Sequence, residues 1–331
     1  MVSKRNVFIF VLMLILPGVA YAILPIQDWK TSSGARVLFV ENRSIPVIDL
    51  AVDFPAGAGF DPAGKSGTAS MTNRLLRLGT EKLGEEDIAA RLADTGAVLT
   101  GRFDTDRAGL YLRTLSYPAE REPALGLFAD MLVAPAFSAT VLEREKVRLV
   151  AALKESNTKP DTIAALTFSR LVFRNHPYGR RDSGDVDTVE KIVRDDLVAF
   201  YREHYVAGNA IVSIMGDLSR QEAEAIAERV TRSLGKGNGT AVSLPAVSGL
   251  ESGSERWVAH PSAQSHILIG APGVRRVDPD YFPLFVGNHI LGGGGFVSRI
   301  TEEVRQKRGL AYSAYSCLLY TSDAADDTPC V

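Results

Sequence analysis

The spacing between glycines repeats along this chain. Gly79 and Gly96 stand seventeen residues apart, as do Gly292 and Gly309, and the two pairs are offset by 213 residues. Asp61-Pro62 recurs as Asp278-Pro279, and Leu78-Gly79 as Leu291-Gly292. Such common residues also coincide by chance, but a tandem duplication accounts for their order. Between the two copies, residues 235–254 read GKGNGTAVSLPAVSGLESGS, a Gly-, Ser- and Pro-rich stretch with the composition of a linker. The expected organisation is therefore a first domain over 23–235, a linker over 236–254 and a second domain beginning at 255. At an offset of 213 residues, 255–316 supplies only the first strands and helices of the second copy.

Within the first copy the apolar pattern switches between strand and helix periods. Residues 36–41 and 47–54 alternate as strands, and a Pro-, Ala- and Gly-rich loop leads to a helix over 68–78. A second helix is predicted at 85–94, then strands at 97–103 and 109–114. Helices follow at 119–133, 139–155, 161–173 and 188–204, then a strand at 210–215 and a helix at 219–234. Strand pairs alternating with helices, without a βαβ glycine fingerprint, predict an α+β fold whose antiparallel-rich sheet is covered by helices. In the second copy, 280–291 corresponds to the helix at 68–78, and Tyr281, Phe282, Leu284, Phe285 and Ile290 read as core around a packing histidine, His289.

The 331 residues carry a formal net charge of −2 and 46% hydrophobic side chains, an ordinary globular balance that gives no argument for nucleic-acid or acidic-membrane partners. The N-terminus differs in kind. Lys4 and Arg5 precede an apolar run over 7–16, and Ala20-Tyr21-Ala22 forms a small-x-small site. This predicts a signal peptide over 1–22, too short to be retained as a membrane anchor, and a periplasmic or secreted mature chain.

The stretch most informative about function is 292–312, GGGGFVSRITEEVRQKRGLAY. Gly292, Gly293, Gly294 and Gly295 leave the backbone free of side chains. Val297, Ile300 and Val304 then share one face of a short amphipathic segment, and Arg305 and Tyr312 lie seven positions apart. On pattern alone this is a glycine turn before a charged surface helix. Together with WKTSSGARVLFVENRSIPV, NHPYG at 175–179, YREHYVAGNAIVSIMGDLS at 201–219 and DPDYFPLFVGNHILGGGGF at 278–296, however, it resembles the pitrilysin/insulinase metallopeptidases. This inverted-zinc-motif group includes the mitochondrial processing peptidase, and the resemblance runs from about Trp29 to Ser316.

That resemblance implies two homologous domains closing over a peptide. The first supplies zinc through H-x-x-E-H before a Leu/Phe-x-Gly-Thr turn, and the second supplies an Arg/Tyr pair. Here the turn is Leu78-Gly79-Thr80, and the motif positions hold Ser70, Met71, Thr72, Asn73 and Arg74. Ser70 is a poor ligand, Asn73 cannot serve as a general base, and Arg74 places a permanent cation where an imidazole belongs. The family's third ligand falls near 150–152, which reads Val-Ala-Ala, and Glu155 is the nearest carboxylate beyond that window. The five histidines, His176, His204, His260, His266 and His289, include no i, i+4 pair. No metal site is expected in this chain, and no P-loop or G-x-S-x-G elbow offers other chemistry.

The resemblance therefore implies a zinc-less subunit or paralogue. Its expected partners are a zinc-bearing homologous peptidase subunit and a peptide or small-protein substrate. It would have no cofactor of its own, and zinc would sit only in the partner. Arg305 and Tyr312 would act in trans on the substrate carbonyl, and Gly292–Gly295 would let a peptide backbone approach. The alternative is a peptide-binding or scaffold module of the same fold. The tail 317–331, CLLYTSDAADDTPCV, departs from the family pattern and reads as non-native sequence, so a disulfide between Cys317 and Cys330 is not expected from it.

Overall fold

Alternate strand residues are apolar, and burying that single face beneath helices sets the architecture. The computed structural model describes residues 24–237 and 243–318. Six strands form one sheet: β1 (Gln27–Lys30), β2 (Arg36–Glu41), β3 (Val47–Phe54), β4 (Val98–Phe103), β5 (Ala108–Leu115) and β6 (Ile211–Gly216). Their order is β1-β2-β6-β3-β5-β4. Every neighbouring pair is antiparallel except β2 with β6. β6 enters beside β2 only after seven α-helices have passed, so the sheet closes late in the sequence.

Eight helices accompany the sheet: α1 (Thr68–Leu75), α2 (Glu85–Thr95), α3 (Pro118–Val133), α4 (Ala139–Ser156), α5 (Pro160–Phe173), α6 (Val186–Val189), α7 (Arg194–His204) and α8 (Arg220–Thr231). Val37, Phe39, Ile48, Leu50, Val52, Leu110, Leu112, Val212 and Ile214 form the buried strand face. They share one core with Phe128, Met131 and Leu132 of α3 and Ile226 and Val230 of α8. Truncating one such leucine to alanine typically costs about 2–5 kcal/mol, so this face dominates the stability of the domain.

The α+β reading of the first domain holds, with three differences. β1 is absent from the sequence reading because four residues carry little periodicity. It is held by Trp29, whose ring meets Phe39 edge-on at 6.4 Å beneath the Arg220 guanidinium, 3.6 Å from the ring centre. The helix expected over 188–204 is two helices, because Val193 is extended and its N–H donates to the Asp196 carboxylate at 2.9 Å, which starts α7 afresh. The helix expected over 68–78 ends at Leu75. The chain then turns through Gly79, whose φ of +145° favours glycine, into a bridge between Thr80 and Pro135.

The second copy departs further from expectation. A helix, α9 (Tyr281–Asn288), forms where the repeat places it. No strand ladder forms among the described residues of 243–318, and Ile267 and Ile269 are exposed. Of the five expected core residues only Tyr281 is buried. Phe282, Leu284, Phe285 and Ile290 are 45–66% exposed, and His289 is exposed rather than packed. The reason is physical: a strand exists only as half of a ladder, and an apolar helix face is covered only where a sheet lies beneath it. The predicted leader and residues 319–331 of the tail lie outside the described residues. The reading of the Cys317–Cys330 pair also lies outside them, because Cys330 is not described. No described helix is long and apolar enough to cross a membrane.

α1 owes its position to a carboxylate. Asp61 accepts the N–H groups of Gly67 and Ala69, both at 2.7 Å, and so caps a helix whose N-cap residue, Gly67, has no side chain and sits at φ +102°. Burial pushes the Asp61 pKa up to about 6 despite these donors. Asp61→Ala is expected to cost about 1–2 kcal/mol. Thermal unfolding followed by circular dichroism checks this; an unchanged midpoint contradicts the capping role.

Candidate functional site

α1 presents the motif positions toward β4, β5 and α4, and Asn73 and Arg74 are already committed. Ser70 is half-buried and makes no hydrogen bond among the described residues. Asn73 is 3% exposed, and its Nδ2 donates to the Gly109 carbonyl of β5 at 2.9 Å. The residue in the general-base position thus ties helix to sheet. Arg74 points away from the sheet, and its Nε donates to Glu145 Oε2 of α4 at 2.6 Å.

Glu145 is the carboxylate that faces the motif, and the sequence reading missed it. The window 150–152 looked too far along α4, and Glu155 lies on the surface paired with Lys159 at 3.0 Å. Glu145 is 1% exposed, and its Oε1 accepts from Arg144 Nε and Arg148 Nη1, both at 2.9 Å. Arg144 also reaches Glu85 of α2 at 2.6 Å, so the cluster joins α1, α2 and α4. Burial acts to raise the Glu145 pKa, but Arg144, Arg74 and Arg148 outweigh it and hold the carboxyl below its ordinary value. The available sequence signal was the run Arg144-Glu145-Lys146-Val147-Arg148, which puts arginines one and three positions from a glutamate on a helix.

These residues do not fit zinc. A guanidinium fills the position of one ligand and already neutralises the nearest buried carboxylate, while an amide bonded to the sheet fills that of the base. Among the described residues, no three His, Cys, Asp or Glu side chains converge as a ligand set. The histidines are dispersed. His204 is buried, with Nδ1 3.2 Å from the Pro55 carbonyl, and desolvation lowers its pKa. His176 Nε2 meets the Pro245 carbonyl at 2.8 Å, and His260 Nε2 meets the Thr158 carbonyl at 3.1 Å.

Beside the cluster, β4 pairs only with β5, so its outer edge is open among the described residues. Arg77, in the turn after α1, lies against Gly101 of β4. A Cβ built on Gly101 would stand 3.1 Å from Arg77 Nε and 2.6 Å from Asn73 Oδ1. Arg77 Nε is buried without a hydrogen-bond partner. Desolvation, and then the charge of Arg74, lower the Arg77 pKa.

In the second copy, the expected site residues come together as a ring stack. The Arg305 guanidinium lies 4.7 Å from the centre of the Tyr312 ring and 4.9 Å from that of Phe296. Tyr312 is 85% exposed, so its hydroxyl faces outward. The expected amphipathic segment is a short π-helical turn, Thr301–Gln306, with Val297 exposed rather than inward. Of the glycines, Gly292 packs against the Ser316 backbone, where a Cβ would stand 2.3 Å from Ser316 N. Gly293 closes a π-helical turn that starts at His289, Gly294 follows it, and Gly295 adopts φ +62°.

Two family profiles match the chain: insulinase (peptidase family M16) over residues 36–185, and the peptidase M16 inactive domain over 191–326. A non-peptidase homolog, YmxG, from Helicobacter pylori is 28% identical over 282 residues, covering 84% of this chain and 64% of that protein. An uncharacterized zinc protease of Streptomyces coelicolor is 27% identical over 303 residues, covering 88% and 64% respectively. The chain thus spans somewhat under two thirds of the length of these relatives. Among solved structures, a peptidase M16 inactive domain from Pseudomonas fluorescens is 36% identical with a TM-score of 0.80, covering 90% of this chain and 72% of that one. A protease from Helicobacter pylori has the same fold at 20% identity and a TM-score of 0.76, covering 91% and 73%.

Glu145→Gln is expected to destabilise the chain by about 1–3 kcal/mol at neutral pH, since it leaves guanidinium groups facing an uncharged side chain. The half-exposure of the three arginines keeps the cost in that range rather than higher. Because the folded pKa is depressed, this stabilisation is complete above the ordinary carboxylate pKa and is lost as pH falls through the lower folded value. Urea titrations from pH 7 down to pH 3 should show a smaller loss for the variant than for the wild type. Parallel losses contradict the clamp.

Proposed function

Since the chain belongs to the M16 (insulinase) family of peptidases, we propose that it is a non-catalytic member, a subunit or paralogue that binds peptide beside a zinc-bearing homologous partner. One observation carries this reading. At the position of a zinc-binding histidine stands Arg74, bonded to the buried Glu145. Similarity to a non-peptidase homolog supports it. The open edge of β4, beside the same helix, offers backbone groups to an extended peptide. Arg305 and Tyr312 would serve in trans, donating hydrogen bonds to charge that develops on the substrate carbonyl, while Gly292–Gly295 would admit the peptide backbone. Export to the periplasm, as predicted from the first 22 residues, would place the pair with envelope peptides.

A peptide-binding or scaffold module without a part in hydrolysis is favoured by one detail. The Arg305 guanidinium is engaged by two aromatic rings, which is a packing role as well as a poised one.

The purified chain alone is expected to hold no stoichiometric zinc and to cleave no peptide. Elemental analysis with a fluorogenic peptide assay checks this. One tightly held zinc per chain, with activity lost on chelation, contradicts the reading. In a reconstituted pair with a zinc-bearing homologue, Arg305→Ala or Tyr312→Phe should lower kcat by about 10²–10³-fold while assembly is retained. Bulkier residues at Gly293 or Gly294 should instead raise KM. Wild-type kcat in both site variants would leave the module reading in place.

A further inference from the structure

The side chains packed against Gly101 give the open edge of β4 a chemical preference. When an extended peptide pairs with a strand, the residue opposite position 101 points to the same sheet face as the missing Gly101 side chain, with Cβ positions about 4.5–5.5 Å apart. On that face lie Arg77 and Asn73, in contact with the space a Cβ at 101 would fill. Glycine leaves room there for Asn73 and Arg77, because a Cβ at 101 would stand 2.6 Å from Asn73 Oδ1 and force it to shift. The Asn73 amide and the Arg77 guanidinium therefore lie directly against the backbone of the edge strand.

Arg77 lies against Gly101 without a counter-charge. Its Nε is buried and unpaired, and the carboxylates nearby are taken. Glu145 is held by Arg74, Arg144 and Arg148, and Asp53 lies 3.4 Å from Arg102. A desolvated guanidinium nitrogen without a partner is costly, and a carboxylate is the group that best completes a guanidinium fork. Arg74 adds a second positive charge one helical turn away, with only its Nε engaged.

We propose that the β4 edge binds carboxylate-bearing extended peptides, with the residue opposite Gly101 placing its carboxylate on Arg77. This rests on the edge-binding reading above and adds its specificity. The carboxylate could come from an Asp or Glu side chain or from a peptide C-terminus ending opposite Gly101.

The test is fluorescence anisotropy of the full chain with rhodamine-labelled nine-residue Thr/Val peptides. One has a central Glu and an amidated end, one a central Gln and an amidated end, and one a central Gln and a free C-terminal carboxylate. The Glu peptide, the free-carboxylate peptide or both should bind about tenfold tighter than the uncharged one, and which does so identifies the source. Arg77→Gln should bring all three to the uncharged level at an unchanged melting temperature, since the Arg77 side chain makes no hydrogen bond among the described residues. Arg77→Met serves if that variant folds poorly. Equal affinity of all three peptides for the wild type, or discrimination that survives in both variants, overturns the proposal and leaves edge binding intact. Absence of binding by all three overturns both.

Discussion

Glu145 is a carboxylate with almost no solvent, and the surroundings of α1 follow from that. An ionised carboxyl at such a depth is tolerated only where cations and donors replace water. Three guanidinium groups do so here, two from its own helix and one, Arg74, from α1. The constraint runs both ways: Arg74 holds α1 against α4, while Asn73 on the same helix holds it to β5. Asp61 fixes the other end of the helix through two backbone N–H groups. A helix of eight residues is too short to be stable alone, so these polar ties and the buried Met71 and Leu75 account for its place.

The same contacts remove the chemistry that the fold otherwise supports. A zinc site needs neutral imidazoles and a free carboxylate around one cation. In this chain the cation is covalently part of the helix, and the carboxylate is spent on it. Restoring one histidine would not recreate a site, because Glu145 would still be engaged by Arg144 and Arg148 and the residues at 150–152 would still offer no ligand.

Burial differs sharply between the two copies. α1 and α9 occupy equivalent places in the repeat, and both are rich in residues that could pack. Met71 and Leu75 reach the core because six strands lie beneath them, whereas Leu284 and Phe285 remain about half exposed because no ladder forms beneath α9 among the described residues. Apolar content therefore says which side chains can enter a core, and the presence of the sheet decides whether they do.

Much was legible in the sequence because it depends on local chemistry. Period-two strands at 36–41 and 47–54 and the helices over 118–156 follow from residue types and spacing, and the lack of ligand side chains at Ser70, Asn73 and Arg74 follows from the family resemblance that aligns them with the zinc motif. The pairing of Arg74 with Glu145, seventy-one positions apart, does not. Nor does the late insertion of β6 between β2 and β3, or the meeting of Arg77 with Gly101 at an open edge. Such contacts join residues distant in sequence whose local patterns are unremarkable. They arise only when the sheet closes and brings α1 over β4 and against α4, so the sequence determined which side chains stand at the motif positions, and tertiary packing decided which partners they meet.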